Sequence, residues 1–132
     1  SLFEEKIVSL MLKAKNKGAF EAIFVRDGTI TEGSHTNFCA VLGEKLITHP
    51  ANHRILAGIT RNIVLNLCYE LSIPFRETPI RQEELRKASE LMLLGTTSEI
   101  LPVVEVDGRI VGDGKPGPIT AKLQHAYRKL IT

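Results

Sequence analysis

Gly28-Thr29-Ile30-Thr31-Glu32-Gly33-Ser34-His35-Thr36-Asn37 is the stretch on which the reading of this chain turns. A short apolar strand, Thr29 to Thr31, runs into a carboxylate flanked by small polar residues and glycine. Upstream, Ala19 to Val25 reads as a strand that reaches Thr29 through an Asp27-Gly28 turn. Downstream, Phe38 to Leu42 reads as another, joined to Lys45 to Thr48 around Gly43-Glu44. Turn residues of this kind between apolar runs are hairpin signals. The pattern predicts an antiparallel meander with Glu32 at a strand end, pointing into the fold. An ionised acid taken out of water needs a cation or a set of donors. Either a local Arg or Lys supplies that positive group, or a ligand does.

Working outward, Ser1 to Lys17 places apolar residues at Leu2, Phe3, Ile7, Val8, Leu10, Met11, Leu12 and Ala14, which predicts an amphipathic helix that Gly18 ends. His49-Pro50-Ala51-Asn52 is turn chemistry. Arg61 to Leu71 follows the helical period at Ile63, Val64, Leu67, Cys68 and Leu71, with Thr60 as the N-cap. Further on come a strand from Ile73 to Thr78, a short polar helix from Gln82 to Ala88, and strands from Glu90 to Leu94 and Ile100 to Val106 that flank Gly95 and end at Asp107-Gly108. Gly112 to Pro118 launches a last helix from Ile119 to about Leu130, with proline where a first turn accepts it. With no repeat and no linker, the chain reads as one α+β domain over residues 1–132.

Composition narrows the function. At 132 residues, 43% hydrophobic and 24% charged, the chain is an ordinary globular domain, which excludes disordered and collagen-like classes. Seventeen Lys and Arg against fifteen Asp and Glu leave a net charge of +2. The basic residues are scattered apart from Lys13, Lys15 and Lys17, read as the solvated face near a helix end, so nucleic acid is not indicated. Cys39 and Cys68 both lie in apolar stretches, which predicts two buried thiols in a reducing cytoplasm rather than a bridge. No apolar run approaches the roughly 18 residues of a membrane span. His49 and His53 are separated by Pro50, against a metal pair on a regular helix, and His35 and His125 stand alone. No Ser-His-Asp arrangement, phosphate-binding Walker loop or dinucleotide-binding glycine pattern occurs.

Three places could carry chemistry. Glu32 is one, with a locally paired strand-end acid as the plainer reading. At Gly58-Ile59-Thr60, free backbone N–H groups, the positive end of a helix dipole and a hydroxyl converge, as in phosphate sites; an ordinary cap is the alternative. Gly95-Thr96-Thr97-Ser98-Glu99 sets three hydroxyls after a glycine between two apolar strands, an anion-binding concavity or simply a polar turn. Two anion sites with one buried acid suit a ligand that carries a phosphate at one end and a protonated ring nitrogen at the other.

The segments Thr31 to Asn37, His49 to Arg61, Gly95 to Val103 and Asp113 to Pro118 resemble, in order, the motifs of the class IV, pyridoxal-phosphate-dependent aminotransferases of fold type IV. The resemblance runs over nearly the whole chain. It implies the larger, C-terminal domain of that fold, a mixed and mainly antiparallel pseudo-barrel sheet with surrounding helices. It implies that Glu32 binds the pyridine nitrogen of pyridoxal 5′-phosphate and that Gly58, Ile59 and Thr60 hold its phosphate, with Thr96 completing the cup. Leu56 packs on the ring, and Thr97 and Ser98 lie beside the substrate carboxylate. Arg61 reads as a solvated first-turn residue, with help to the phosphate from its charge as the alternative.

The family's Schiff-base lysine lies about thirty residues before the glutamate, so it is expected immediately before Ser1. Lys6, Lys13, Lys15 and Lys17 are too close to Glu32 and sit on the outer face of the expected first helix. The chain is then a fragment that lacks the small N-terminal domain and does not transaminate by itself. Fragment, processed product and second part of a longer polypeptide all fit the missing initiator Met. The implied activity of the intact polypeptide is exchange of an amino group between an amino acid and a 2-oxo acid. Thr96 to Ile100 leans toward the D-amino-acid type and Gly114 to Pro118 fits the branched-chain type equally. A lyase releasing pyruvate from aminodeoxychorismate and a catalytically silent assembly domain are the alternatives. A cytoplasmic homodimer is expected, with no nucleic-acid or membrane partner.

Overall fold

Phe38 to Leu42 and Leu91 to Leu94 carry almost no polar alternation because these strands have apolar neighbours on both faces. Phe38, Ala40, Leu91 and Leu93 belong to one buried cluster; Cys39, Val41, Met92 and Leu94 belong to a second on the other face. A strand covered on both sides reads as an unbroken apolar run. The computed structural model describes residues 7–14, 20–26, 29–33, 37–50, 58–95 and 99–131, with side chains from residue 37 onward within those ranges.

In chain order the elements are β1 (Ile7–Ala14), β2 (Phe20–Arg26), β3 (Thr29–Gly33), β4 (Asn37–Leu42), β5 (Lys45–Thr48), α1 (Ile59–Glu70), β6 (Phe75–Glu77), β7 (Ile80–Arg81), a short 3-10 helix (Gln82–Arg86), β8 (Glu90–Gly95), β9 (Glu99–Val106), β10 (Arg109–Ile110) and α2 (Pro118–Ile131). Among the described residues the ten strands form one sheet in the order β6-β5-β4-β8-β9-β1-β2-β3-β7, with β10 beside β9. All pairings are antiparallel except that of β5 with β6.

This order forces the sheet to curl. From β4 to β3 is five strand spacings, roughly 24 Å if flat at about 4.8 Å each. Gly33 and Asn37, which end β3 and begin β4, are four residues apart, a reach of at most about 14 Å. Both hold only if the sheet bends back on itself, and β3 and β4 are indeed in contact. Ile80 of β7, at the far end of the strand order, packs in the same cluster as Phe38 and Leu93. That cluster therefore fills the concave side, as the pseudo-barrel reading expects. The second cluster lies under the helices, against Val64, Leu67 and Cys68 of α1 and Leu123 and Tyr127 of α2.

Two expectations are corrected. The predicted helix from Ser1 to Lys17 is, over its described part, the strand β1, hydrogen-bonded to β2 on one side and β9 on the other. An apolar run of this length fits a helix or a buried strand by periodicity alone, and the central place in the sheet decides it. Lys13 accordingly sits on a strand, not near a helix end; Lys6, Lys15 and Lys17 lie outside the described residues. The meander also breaks after β3, because β8, β9, β1 and β2 lie between it and β4.

The other expected elements appear with their expected type and small shifts of boundary, and the two-residue strands β7 and β10 are additions that the sequence pattern did not announce. Gly43 and Glu44 take φ of 55° and 64°, the left-handed pair that a tight hairpin between β4 and β5 requires. Helix α1 ends with Ser72 at φ 57°, the Ser72 N–H donating to Tyr69 O at 3.3 Å and the Ile73 N–H to Cys68 O at 2.8 Å, so the last carbonyls are satisfied. Cys39 and Cys68 are buried and free, as expected; burial pushes their thiols up to about 12 and about 11. No helix among the described residues is long and apolar enough to cross a membrane.

Candidate functional site

Three of the sequence motifs meet at one end of the sheet. Asn37 of β4 lies opposite Leu94 of β8, and the next residue of β8, Gly95, pairs with Glu99 of β9. Gly58 abuts the same asparagine: a β-carbon there would lie 2.7 Å from Asn37 Oδ1. Only glycine allows this approach. The start of α1, the residue that ends the Glu32 motif and the Gly95–Glu99 pair that flanks the third motif are thereby brought to one end of the sheet.

At the start of α1, Gly58 is the N-cap in an extended conformation, φ −76° and ψ 157°. This corrects the reading of Thr60 as N-cap, since Thr60 is the second helical residue. The Asn62 N–H donates to Gly58 O at 3.2 Å, which leaves the N–H groups of Ile59, Thr60 and Arg61 with no acceptor inside the helix. Glycine has no side chain with which to cap them. No acidic side chain lies in the first turn, so an arriving anion meets donors and a positive dipole end. The Thr60 hydroxyl is buried and lies 3.5 Å from the hydroxyl of Tyr127 on α2.

Arg61 is a correction too: it is 3% exposed, not solvated. Its Nη2 donates to Glu77 Oε1 at 2.6 Å and to the His49 carbonyl at 3.0 Å. It ties the first turn of α1 to β6 and to the end of β5, because a planar guanidinium can serve two acceptors on different elements. Its Nε is buried and, among the described residues, has no partner.

Glu32 lies in β3 where the pairing with β2 slips. Ile23 faces Gly33 and Val25 faces Ile30, so Thr31 and Glu32 together oppose Phe24, a β-bulge. Bulges re-aim side chains at strand ends and recur beside binding sites. Leu56, Thr96, Thr97 and Ser98 lie outside the described residues, as do His53 and the Asp27-Gly28 turn.

A family model described as amino-transferase class IV matches residues 6–106. The chain belongs to this family. Among curated proteins it is 40% identical over 124 residues to a D-alanine aminotransferase of Bacillus licheniformis, covering 94% of this chain and 44% of that protein. A D-alanine aminotransferase of Staphylococcus haemolyticus is 42% identical over 113 residues, 86% of this chain and 40% of that protein. Among solved structures, a branched-chain amino acid aminotransferase of Escherichia coli superposes with a TM-score of 0.77 at 40% identity, over 80% of this chain and 36% of that one. That of the archaeon Thermoproteus uzoniensis, solved with norvaline, gives 0.79 at 39% identity over 86% and 38%. The chain thus spans less than half the length of these class IV relatives, and its α+β architecture is the one they share.

Three structural contributors were missed in the sequence. Asn37 against Gly58 and Tyr127 against Thr60 join residues on separate elements, and no local pattern announces either. Glu90, taken only as the first residue of a strand, is buried and accepts the Ile119 N–H at 3.2 Å and the Thr120 N–H at 2.8 Å at the start of α2. A carboxylate opening an otherwise apolar strand was the available hint.

Proposed function

We propose that this chain holds pyridoxal 5′-phosphate and serves transamination between an amino acid, of the D-alanine class, and a 2-oxo acid. The observation that carries the proposal is the start of α1, where Gly58 lies against Asn37 and the Ile59 and Thr60 N–H groups have no acceptor among the described residues, beside the β8–β9 pairing. A phosphate monoester fits such a place on the residues present: backbone donors, one buried hydroxyl, no acidic side chain in the turn.

Pyridoxal phosphate, when bound, supplies an electron sink that makes the hydrogen on the substrate's α-carbon removable. Ile59 and Thr60 bind its phosphate through N–H groups and hydroxyl, and Thr96 completes the cup. Leu56 packs against the ring. Glu32 keeps a proton on the pyridine nitrogen, since an anionic carboxylate favours the charged form of a neighbouring base. Thr97 and Ser98 orient the substrate carboxylate. The active form is a cytoplasmic homodimer. The aminotransferases named above favour transfer over elimination of pyruvate.

Titration of the intact protein with pyridoxal phosphate, followed by amino-transfer rates with D-alanine and L-leucine as donors to a 2-oxo acid, tests this. Saturable binding and faster transfer from D-alanine are expected. Faster transfer from L-leucine would move the substrate to the branched-chain class, and activity on neither, or no binding, would overturn the proposal.

A further inference from the structure

Thr60 and Tyr127 bury two hydroxyls against each other, 3% and 7% exposed, with their oxygens 3.5 Å apart. Among the described residues neither oxygen has another recorded hydrogen-bond partner. Each hydroxyl owns one hydrogen and can accept another. The pair therefore uses one hydrogen and leaves one over, and where the spare points depends on which residue donates.

If Thr60 donated, the tyrosine hydrogen would need an acceptor of its own, and among the described residues the phenol oxygen has no hydrogen-bond partner but Thr60. A buried donor without an acceptor is the costly arrangement. If Tyr127 donates, the spare hydrogen belongs to Thr60, in the first turn of α1, beside the N–H groups that also lack an acceptor inside the helix. The phenol, the more acidic of the two hydroxyls, is the better donor. An anion at the helix start then gives an acceptor to every hydrogen in the arrangement.

We infer that Tyr127 is a positioning residue for the phosphate group: by donating to Thr60 Oγ1 it turns the threonine hydrogen outward, toward a phosphate oxygen at the start of α1. The inference rests on the phosphate placement proposed above and adds to it a residue from the last helix that touches no cofactor atom itself. Its action is confined to the phosphate end of the ligand, which separates it from a packing role.

The test compares pyridoxal phosphate with pyridoxal, which lacks the phosphate, by calorimetric titration of the intact protein. Tyr127→Phe keeps the ring and removes the hydroxyl, and the melting temperature of the cofactor-free variant checks that packing survives. The expected result is a dissociation constant for pyridoxal phosphate raised about three- to tenfold, with that for pyridoxal unchanged. In a Thr60→Val background the same change should have no further effect, because the hydroxyl it positions is gone. Equal affinities of wild type and Tyr127→Phe for pyridoxal phosphate would overturn the inference alone, as would equal losses for both ligands. Wild-type protein that binds pyridoxal phosphate no more tightly than pyridoxal would instead overturn the phosphate placement and, with it, this role.

Discussion

The carboxylate of Glu90 lies so close over Gly117 that no β-carbon fits between them. From β8 it reaches the first turn of α2 and takes the two N–H groups, of Ile119 and Thr120, that the helix cannot satisfy, while Pro118 in front of them has none to offer. Strand and helix are thus locked by one buried side chain, and the glycine between two prolines is there because the acid needs its space.

Gly117→Ala should therefore displace Glu90 and cost about 1–3 kcal/mol of stability, the range for leaving buried donors unmatched. Glu90→Ala should cost a similar amount. Glu90→Gln keeps an acceptor oxygen and should cost less. Thermal unfolding followed by circular dichroism measures all three; an unchanged melting temperature for Gly117→Ala would contradict the packing described.

The Arg61 to Glu77 pair is asymmetric, with side chains 3% and 46% exposed. Removing the exposed acid strands a buried guanidinium, whereas removing the arginine leaves a glutamate free to hydrate. Glu77→Gln is therefore expected to destabilise by about 2–4 kcal/mol and Arg61→Met by less, since uncompensated buried charge is the dominant penalty. Denaturant unfolding of the two variants gives the order, and the reverse order would show that the pair is not buried as placed.

Both thiols ionise above their ordinary range, Cys39 at about 12 and Cys68 at about 11, because burial disfavours the thiolate. A folded value raised above the ordinary 9.0 of a free thiol means that the unfolded chain loses its protons first as pH climbs. Their contribution is complete below pH 9 and declines from there toward 11 and 12, by roughly 1.4 kcal/mol per pH unit for each thiol inside its window. Replacing both cysteines by alanine should flatten this part of the pH–stability curve while lowering its plateau. Thiol reagents at neutral pH should label neither residue until the protein unfolds.

Glu32→Gln removes the negative charge at the β3 bulge and keeps its size. If Glu32 holds a proton on the cofactor ring, the amino-transfer rate of the intact protein should fall by at least about fivefold, equivalent to roughly 1 kcal/mol of barrier, with stability little changed. A rate within about twofold of wild type would remove Glu32 from that role.

The elements that local chemistry defines were legible in the sequence. Gly43-Glu44 turned as expected, the last helix began at its proline, and Gly95 ended its strand. What could not be read were relations across the sheet. Ile7 to Ala14 looks the same as a helix face or as a central strand until its partners are known. Arg61 looked like a surface residue because Glu77 lies 16 residues away on another element, and the Thr60 to Tyr127 contact spans 67 residues. The positions of Gly58, Ile59 and Thr60 were marked by composition, but their link to Asn37 was not.

The curl of the sheet also decides when a site can exist. Strands β3 and β4 are joined through a closed sheet only once four other strands, two of them from the second half of the chain, have taken their places between them. The start of α1 alone offers its N–H groups, but Asn37 and the β8–β9 pairing join it only in the folded sheet. The assembled binding place is thus a readout of completed folding, and whatever binds there draws on the whole folding equilibrium, acting as a clasp on the closed sheet rather than as a weight on one loop.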